Sequence, residues 1–179
     1  LRSEVTNSSS IIDYKSSISI DGISIDSRTI NKNELFIAIK GDSHDGHLFI
    51  NDAIKNGASL IISEHRVEDF PYISVDDTTD SLAEIAKFYI DKIHPIVIGV
   101  TGTNGKTSVT NMTSMILQTY KKTLSTYKNY NNQIGLPLSV LKATKDDEVF
   151  VLEMGASKVG DIKELVQIAK PTIVALLNV

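Results

Sequence analysis

Seven residues lying between a β-branched run and a helical pattern carry the most legible chemistry of this chain: Thr101-Gly102-Thr103-Asn104-Gly105-Lys106-Thr107. Gly102 and Gly105 let the backbone take dihedrals closed to other residues, and they let a phosphate approach main-chain N–H groups. The helix expected from about Gly105 directs its unpaired N–H groups and its positive dipole end at that anion. Lys106 supplies a point charge for β- and γ-phosphates, and the Thr107 hydroxyl suits magnesium. The general pattern G-x-x-x-x-G-K-[ST] asks for glycine at position 100, where this chain has Val100. What remains is G-x-x-G-K-T in a strand–loop–helix context, read as a nucleotide-phosphate site. The alternative is a glycine-rich turn with a solvated lysine.

Glu153 ends the apolar run Val149-Phe150-Val151-Leu152. Ligands of open α/β sheets gather at the carboxyl ends of strands, so this acid is a candidate magnesium ligand beside the phosphate loop. Its other reading is a strand-end carboxylate facing water. Tyr127 to Gly135 packs Asn129, Asn131 and Asn132 between a strand and a proline-containing helix. Asparagines serve equally as turn formers and as substrate contacts, and the residues alone leave both open. His44-Asp45-Gly46-His47 superficially resembles a metal site, but no third ligand is evident, and Asp45 is expected to cap the next helix. His65 and His94 read as surface or boundary histidines, and Asp146-Asp147-Glu148 as a solvated turn.

These candidates need elements to position them. Alternation over Ile18–Ile25 around Asp21-Gly22 predicts a β-hairpin. Glu34–Lys40, Leu60–Ile62 and Tyr72–Val75 read as strands, with a helix after Asp45 that buries Ile50, Ala53 and Ile54 and stops at Gly57. Leu82, Ile85, Ala86, Tyr89, Ile90 and Ile93 form one stripe of a helix over Thr79–Ile93, ended by His94-Pro95. Beyond Pro95, strands at 96–101, about 123–126, 148–154 and 172–177 alternate with helices. One helix carries Val109, Met112 and Ile116, one begins near Pro137, and one turns Ile162, Leu165 and Ile168 inward. That alternation is the pattern of a doubly wound sheet. The expected architecture is α/β: a small mixed N-terminal domain over 1–94, then the first half of a parallel-sheet, P-loop-type domain over 95–179.

The 179 residues are 41% apolar and 22% charged, with net charge −4 and no cysteine. This composition is that of a globular protein and excludes a disordered tail, a fibre, a disulfide framework and thiol chemistry. No apolar run is long enough for a membrane helix, and the acidic balance argues against a basic nucleic-acid surface. Leu1–Ser10 reads as a frayed start. The last expected strand has nothing after it to cover it, so the chain is expected to be an inactive piece of something longer.

Taken together these residues resemble the Mur ligase family, the ATP-dependent amide ligases of peptidoglycan precursor synthesis. The resemblance is carried by Asp26-Ser27-Arg28, Leu35–Gly41, Asp45-Gly46-His47, Asn56-Gly57-Ala58, Gly99–Thr107 with its shortened glycine spacing, Asn129–Pro137, Leu152–Ala156 and Gly160-Asp161-Ile162. The asparagine segment and the Glu153 strand end are similar to the branch that adds D-alanyl-D-alanine to UDP-N-acetylmuramoyl-tripeptide, rather than to the sister branch that adds the third peptide residue. The resemblance implies a UDP-recognition domain followed by part of an ATPase domain. It implies ATP bound by Gly102, Thr103, Asn104, Gly105, Lys106, Thr107 and Ser108, Mg2+ held by Thr107 and Glu153, and catalytic roles for Lys106 and Glu153. Ser27, Arg28, Lys40, Asp45 and His47 would lie in or near the UDP pocket, and Asn129, Asn131 and Asn132 would face the muramoyl peptide. Asn178 matches an asparagine that ends the next strand in the family. The implied setting is a cytoplasmic monomer acting on UDP-N-acetylmuramoyl-tripeptide and D-Ala-D-Ala, with no nucleic acid or membrane partner. A non-catalytic nucleotide- or UDP-sugar-binding module is the alternative from another class.

Overall fold

A computed structural model describes residues 18–41 and 44–178. Leu1–Ser10 lies outside the described residues, as does Ser43. Two four-stranded parallel sheets follow one another. The first has the order β1 (Gly22–Ser24), β2 (Glu34–Ile37), β3 (Ala58–Ser63), β4 (Tyr72–Ser74). The second has the order β6 (Thr123–Ser125), β7 (Val149–Glu153), β5 (Ile96–Gly102), β8 (Ile173–Leu177). The α/β architecture expected from the alternation of strands and helices is the one observed.

The hairpin expected at Ile18–Ile25 does not form. Residues 22–24 make one strand parallel to β2, and the Asp21 N–H donates to the Asn33 carbonyl at 3.0 Å. A two-residue turn at Asp21-Gly22 needs positive φ, which Gly22 does not adopt. The alternating residues Ile20, Ile23 and Ile25 instead pack on the core beneath the first sheet.

Helix α1 (Ile50–Asn56) covers the other face of that sheet, with Ala53 buried against Phe36, Ala38, Ala58 and Ile61. It ends at Gly57, whose φ of 120° is open to glycine, and whose Cβ position would lie 3.0 Å from the Lys32 Cα. Helix α2 (Thr78–Ile93) begins where the Asp77 carboxylate accepts from the Thr79 and Asp80 N–H groups, and it stops at His94 in the left-handed region. Its stripe is divided between two cores. Leu82 packs on Leu35, Ile37 and Ile62 of the first sheet, while Ala86 and Ile90 pack with Val97, Leu136, Phe150 and Leu165 around the second. The Tyr89 hydroxyl donates to the Ala143 carbonyl at 2.8 Å, tying α2 to the far end of α4 (Gly135–Val140).

Strand β7 is buried throughout, as its continuous apolar run requires in a parallel sheet, while β5 buries Val97, Gly99 and Val100 and leaves Ile96 exposed. Helix α3 (Lys106–Leu117) turns differently from its apolar residues. Met112 and Ile116 are 63% and 61% exposed, and Thr110 and Ser114 face the sheet, their hydroxyls without a partner among the described residues. The register of α3 is set by the phosphate loop at its start, and this fixes which face meets β6 and β7. Helix α5 (Asp161–Ala169) follows its expected stripe, with Leu165 and Ile168 buried.

Candidate functional site

The phosphate loop leaves the carboxyl end of β5, the central partner of β7 and β8. Gly102 has φ 139°, and a Cβ there would sit 1.6 Å from the Leu177 carbonyl oxygen of the neighbouring strand. Gly105, at φ 83°, opens α3. The Thr103 N–H donates to Asn178 at 3.0 Å, so the end of β8 braces the loop from beside it. No hydrogen bond within the described residues takes up the N–H groups of Asn104, Gly105, Lys106, Thr107 or Ser108. These donors converge at one helix start, an arrangement whose geometry suits an anion. The Lys106 ammonium folds back over the loop, donating to the Gly102 carbonyl at 2.8 Å and to that of Thr103 at 3.4 Å.

Glu153 lies across from this loop and is only 4% exposed. Its Oε2 accepts from the Thr107 hydroxyl and its Oε1 from the Asn131 amide, each at 2.8 Å. Its own N–H donates to the Thr126 hydroxyl at 2.7 Å. A carboxylate and a hydroxyl held together beside uncommitted backbone donors form a hard-oxygen donor pair, whose chemistry would fit a magnesium ion. Thr107 and Glu153, 46 positions apart in the chain, are thus brought together.

The three asparagines part company. The Asn131 side chain reaches Glu153. The Asn132 Oδ1 accepts from Gly135 N–H at 2.7 Å and from Ile134 N–H at 3.3 Å, holding the start of α4. Asn129 is exposed, and its carbonyl accepts from the Asn131 N–H.

Asp161 opens α5 within the Gly160-Asp161-Ile162 segment of the family resemblance, and the sequence assigned it no role of its own. Its buried carboxylate accepts from the Ser157 and Lys158 N–H groups at 2.8 and 2.9 Å, from the Ser157 hydroxyl, and from the Gln133 amide at 2.8 Å. The two backbone N–H bonds hold its pKa at about 2, below the usual 3.8. It thereby ties the segment after Glu153 to the asparagine loop. A group whose carboxyl is depressed by folding adds stability above its unfolded pKa and loses it as the pH falls. Asp161→Asn is therefore expected to lower the denaturation midpoint at pH 6. The difference from the parent should shrink between pH 4 and pH 2, as read by denaturant titrations across that range.

A second concavity of about 840 Å3 opens at the first sheet. Ser27 and Arg28 line it, with Gly41, His44, Gly46, Lys55 and Asn56 among the other walls, and Tyr130 and Ile134 reach it from the asparagine loop. Arg28 is fixed by Asp26, whose Oδ1 and Oδ2 accept from the guanidinium at 2.9 and 2.7 Å. These bonds hold the Asp26 pKa at about 2. Lys40, Asp45 and His47 do not line the cavity but flank lining residues Gly41, His44 and Gly46 in the chain. Lys40 bridges Asp45 through the backbone, and Asp45 caps the turn Gly46–Phe49 by accepting from the His47 N–H at 2.9 Å. The His47 side chain is 5% exposed. Its Nε2 accepts from the Glu64 N–H at 3.1 Å, which leaves Nδ1 to donate to Asp45 at 2.7 Å. Both ring nitrogens are thus committed to these bonds. Among the described residues no cluster of three metal-ligating side chains occurs.

Comparison with known proteins follows this geometry. A profile of the Mur ligase middle domain matches residues 100–179, and one described as the catalytic domain of the Mur ligase family matches residues 19–90. The chain is 38% identical over 164 residues to a UDP-N-acetylmuramoyl-tripeptide–D-alanyl-D-alanine ligase of Bacillus subtilis, covering 89% of this chain and 36% of that protein. The structure superposes on MurF from Acinetobacter baumannii with a TM-score of 0.85 at 31% identity, covering 89% of this chain and 36% of the other. It also superposes on MurF ligase from Thermotoga maritima in complex with ADP, with a TM-score of 0.82 at 38% identity, covering 88% and 37%. The chain spans a little over a third of the length of the relatives it matches.

Proposed function

Since the chain belongs to the Mur ligase family, we propose that the protein carrying it is an ATP-dependent acid–amino-acid ligase that joins D-Ala-D-Ala to UDP-N-acetylmuramoyl-tripeptide in the cytoplasm. The observation that carries this reading is the Thr107–Glu153 pair, held at 2.8 Å beside a loop of unpartnered backbone donors. That a neighbour of the same fold is in complex with ADP supports nucleotide binding. No helix among the described residues is long and apolar enough to cross a membrane.

In the proposed reaction the tripeptide carboxylate attacks the γ-phosphorus of ATP and expels ADP, and the amine of D-Ala-D-Ala then attacks the acyl phosphate, displacing phosphate and losing a proton as the amide forms. The chain's part is positioning and charge neutralisation. The N–H groups of residues 104–108 would hold phosphate oxygens, and Lys106 would leave its loop carbonyls to meet the transferring group. Thr107 and Glu153 would hold Mg2+, which when bound neutralises phosphate charge. The cavity at Ser27 and Arg28 would take the UDP end, so that binding energy far from the reacting carboxylate orients it.

Arg28→Ala is accordingly expected to raise KM for the UDP-tripeptide by roughly tenfold, the worth of one charged hydrogen bond, with kcat little changed. Steady-state kinetics at saturating ATP and dipeptide reads this. The reading as a whole is tested by phosphate release from the protein that carries this chain. Release should require both UDP-tripeptide and D-Ala-D-Ala. Release that instead requires a diamino acid and the UDP-dipeptide would assign the sister ligase, and no release with either set would overturn the ligase reading.

A further inference from the structure

Glu153 has two oxygens and two side-chain partners, and only one of those partners is a candidate metal ligand. The other is Asn131, and the way it is held is informative. Its N–H donates to the Asn129 carbonyl at 2.9 Å, and its carbonyl accepts from the Gly155 N–H at 2.8 Å, two residues past Glu153. A Cβ on Gly155 would lie 3.0 Å from the Asn131 Cγ, so the amide is packed directly on the backbone there. The amide orientation is forced. Turned over, its Oδ1 would face the Glu153 carboxylate with no proton between them. The chain neighbour Tyr130 is equally fixed, because a Cβ on Gly135 would lie 2.5 Å from the Tyr130 Cα.

We propose that Asn131 is a positioning residue for the Glu153 carboxylate: it holds Oε1 so that Oε2 stays aimed at Thr107 and the phosphate loop. This rests on the functional reading above and deepens it, because it takes Asn131 out of direct contact with the peptide. An outer partner that orients a ligating carboxylate commonly changes metal affinity by 10- to 100-fold when removed. The Asn131 amide is suited to this task. It offers a neutral donor that lowers the carboxylate's freedom without competing for a cation, and a lysine there would introduce a competing positive charge.

The test uses Asn131→Ala and Asn131→Leu, the second preserving most of the side-chain volume against Gly155, in the protein that carries this chain. ADP binding is measured by calorimetry with excess Mg2+ and again in EDTA. The expected result is that both variants lose roughly tenfold or more of the Mg2+-dependent gain in affinity while binding in EDTA stays within about twofold. KM for the UDP-tripeptide should be unchanged, and the Mg2+ concentration for half-maximal turnover should rise. A variant that keeps the full Mg2+-dependent gain but shows a raised KM for the UDP-tripeptide overturns the proposal in favour of direct substrate contact. Should the parent protein itself show no Mg2+-dependent ADP binding, the functional reading fails first, and the proposal falls with it.

Discussion

Lys106→Ala is expected to lower ligation by on the order of a thousandfold, the scale of losing one preorganised charged donor at a transferring phosphoryl group. Binding of the UDP-tripeptide should stay within about threefold, because Lys106 is absent from the cavity that Ser27 and Arg28 line. The ammonium lies 2.8 Å from the Gly102 carbonyl, at the mouth of the loop, and no carboxylate among the described residues pairs with it. Its charge is thus available to an incoming anion at the cost of its two hydrogen bonds to the neutral carbonyls of Gly102 and Thr103. Lys106→Arg should not restore activity, since a planar guanidinium cannot reproduce a compact point charge over a tight loop. Single-turnover kinetics with ATP and UDP-tripeptide, together with direct binding of the UDP-tripeptide, separates the two effects. Turnover of Lys106→Ala within tenfold of the parent would remove the phosphate-loop role.

Gly102→Ala is the second large effect, and it acts on the fold. The new Cβ would be placed 1.6 Å from the Leu177 carbonyl oxygen and 2.5 Å from its carbon. These are backbone atoms of a paired strand and cannot rotate away. Either β8 shifts or the loop leaves its φ of 139°, and overpacking plus backbone strain together are expected to cost on the order of 3 kcal/mol. Gly105→Ala makes the control. Its φ of 83° is also left-handed, but the nearest atom to its Cβ is 3.9 Å away. Only the conformational cost of about 1 kcal/mol applies there. Chemical denaturation of both variants, with equal losses, would contradict the close approach of β8 to the loop.

The two glycines show how far the amino-acid order reaches. Local rules are enough to name the loop. A β-branched run, two glycines, a lysine and a threonine before a helix specify their own backbone whatever surrounds them. The same holds for the stop of α1 at Gly57 and the Asp77 cap of α2. Each depends on contacts within a few residues, so the sequence carries it directly. The hairpin at Asp21-Gly22 is the counterexample: alternation there was equally compatible with a single edge strand, and pairing with β2 decided between them.

What remained hidden depends on groups far apart in the chain. Asn131 meets Glu153 across 22 positions, and Gln133 meets Asp161 across 28. Sequence could name Asn129, Asn131 and Asn132 as a polar cluster, but not that one orients a carboxylate, one holds the start of α4 and one stays in solvent. Nor could periodicity reveal that the α2 stripe serves two cores, or that α3 turns Met112 and Ile116 outward. A single side chain's role is set by which strand ends lie side by side, and parallel strands become neighbours only through crossovers that local preferences do not encode. The residues therefore determined the chemical groups and the elements bearing them. The order β6-β7-β5-β8 determined which of those groups share a site, because it puts the ends of β5 and β7 next to each other.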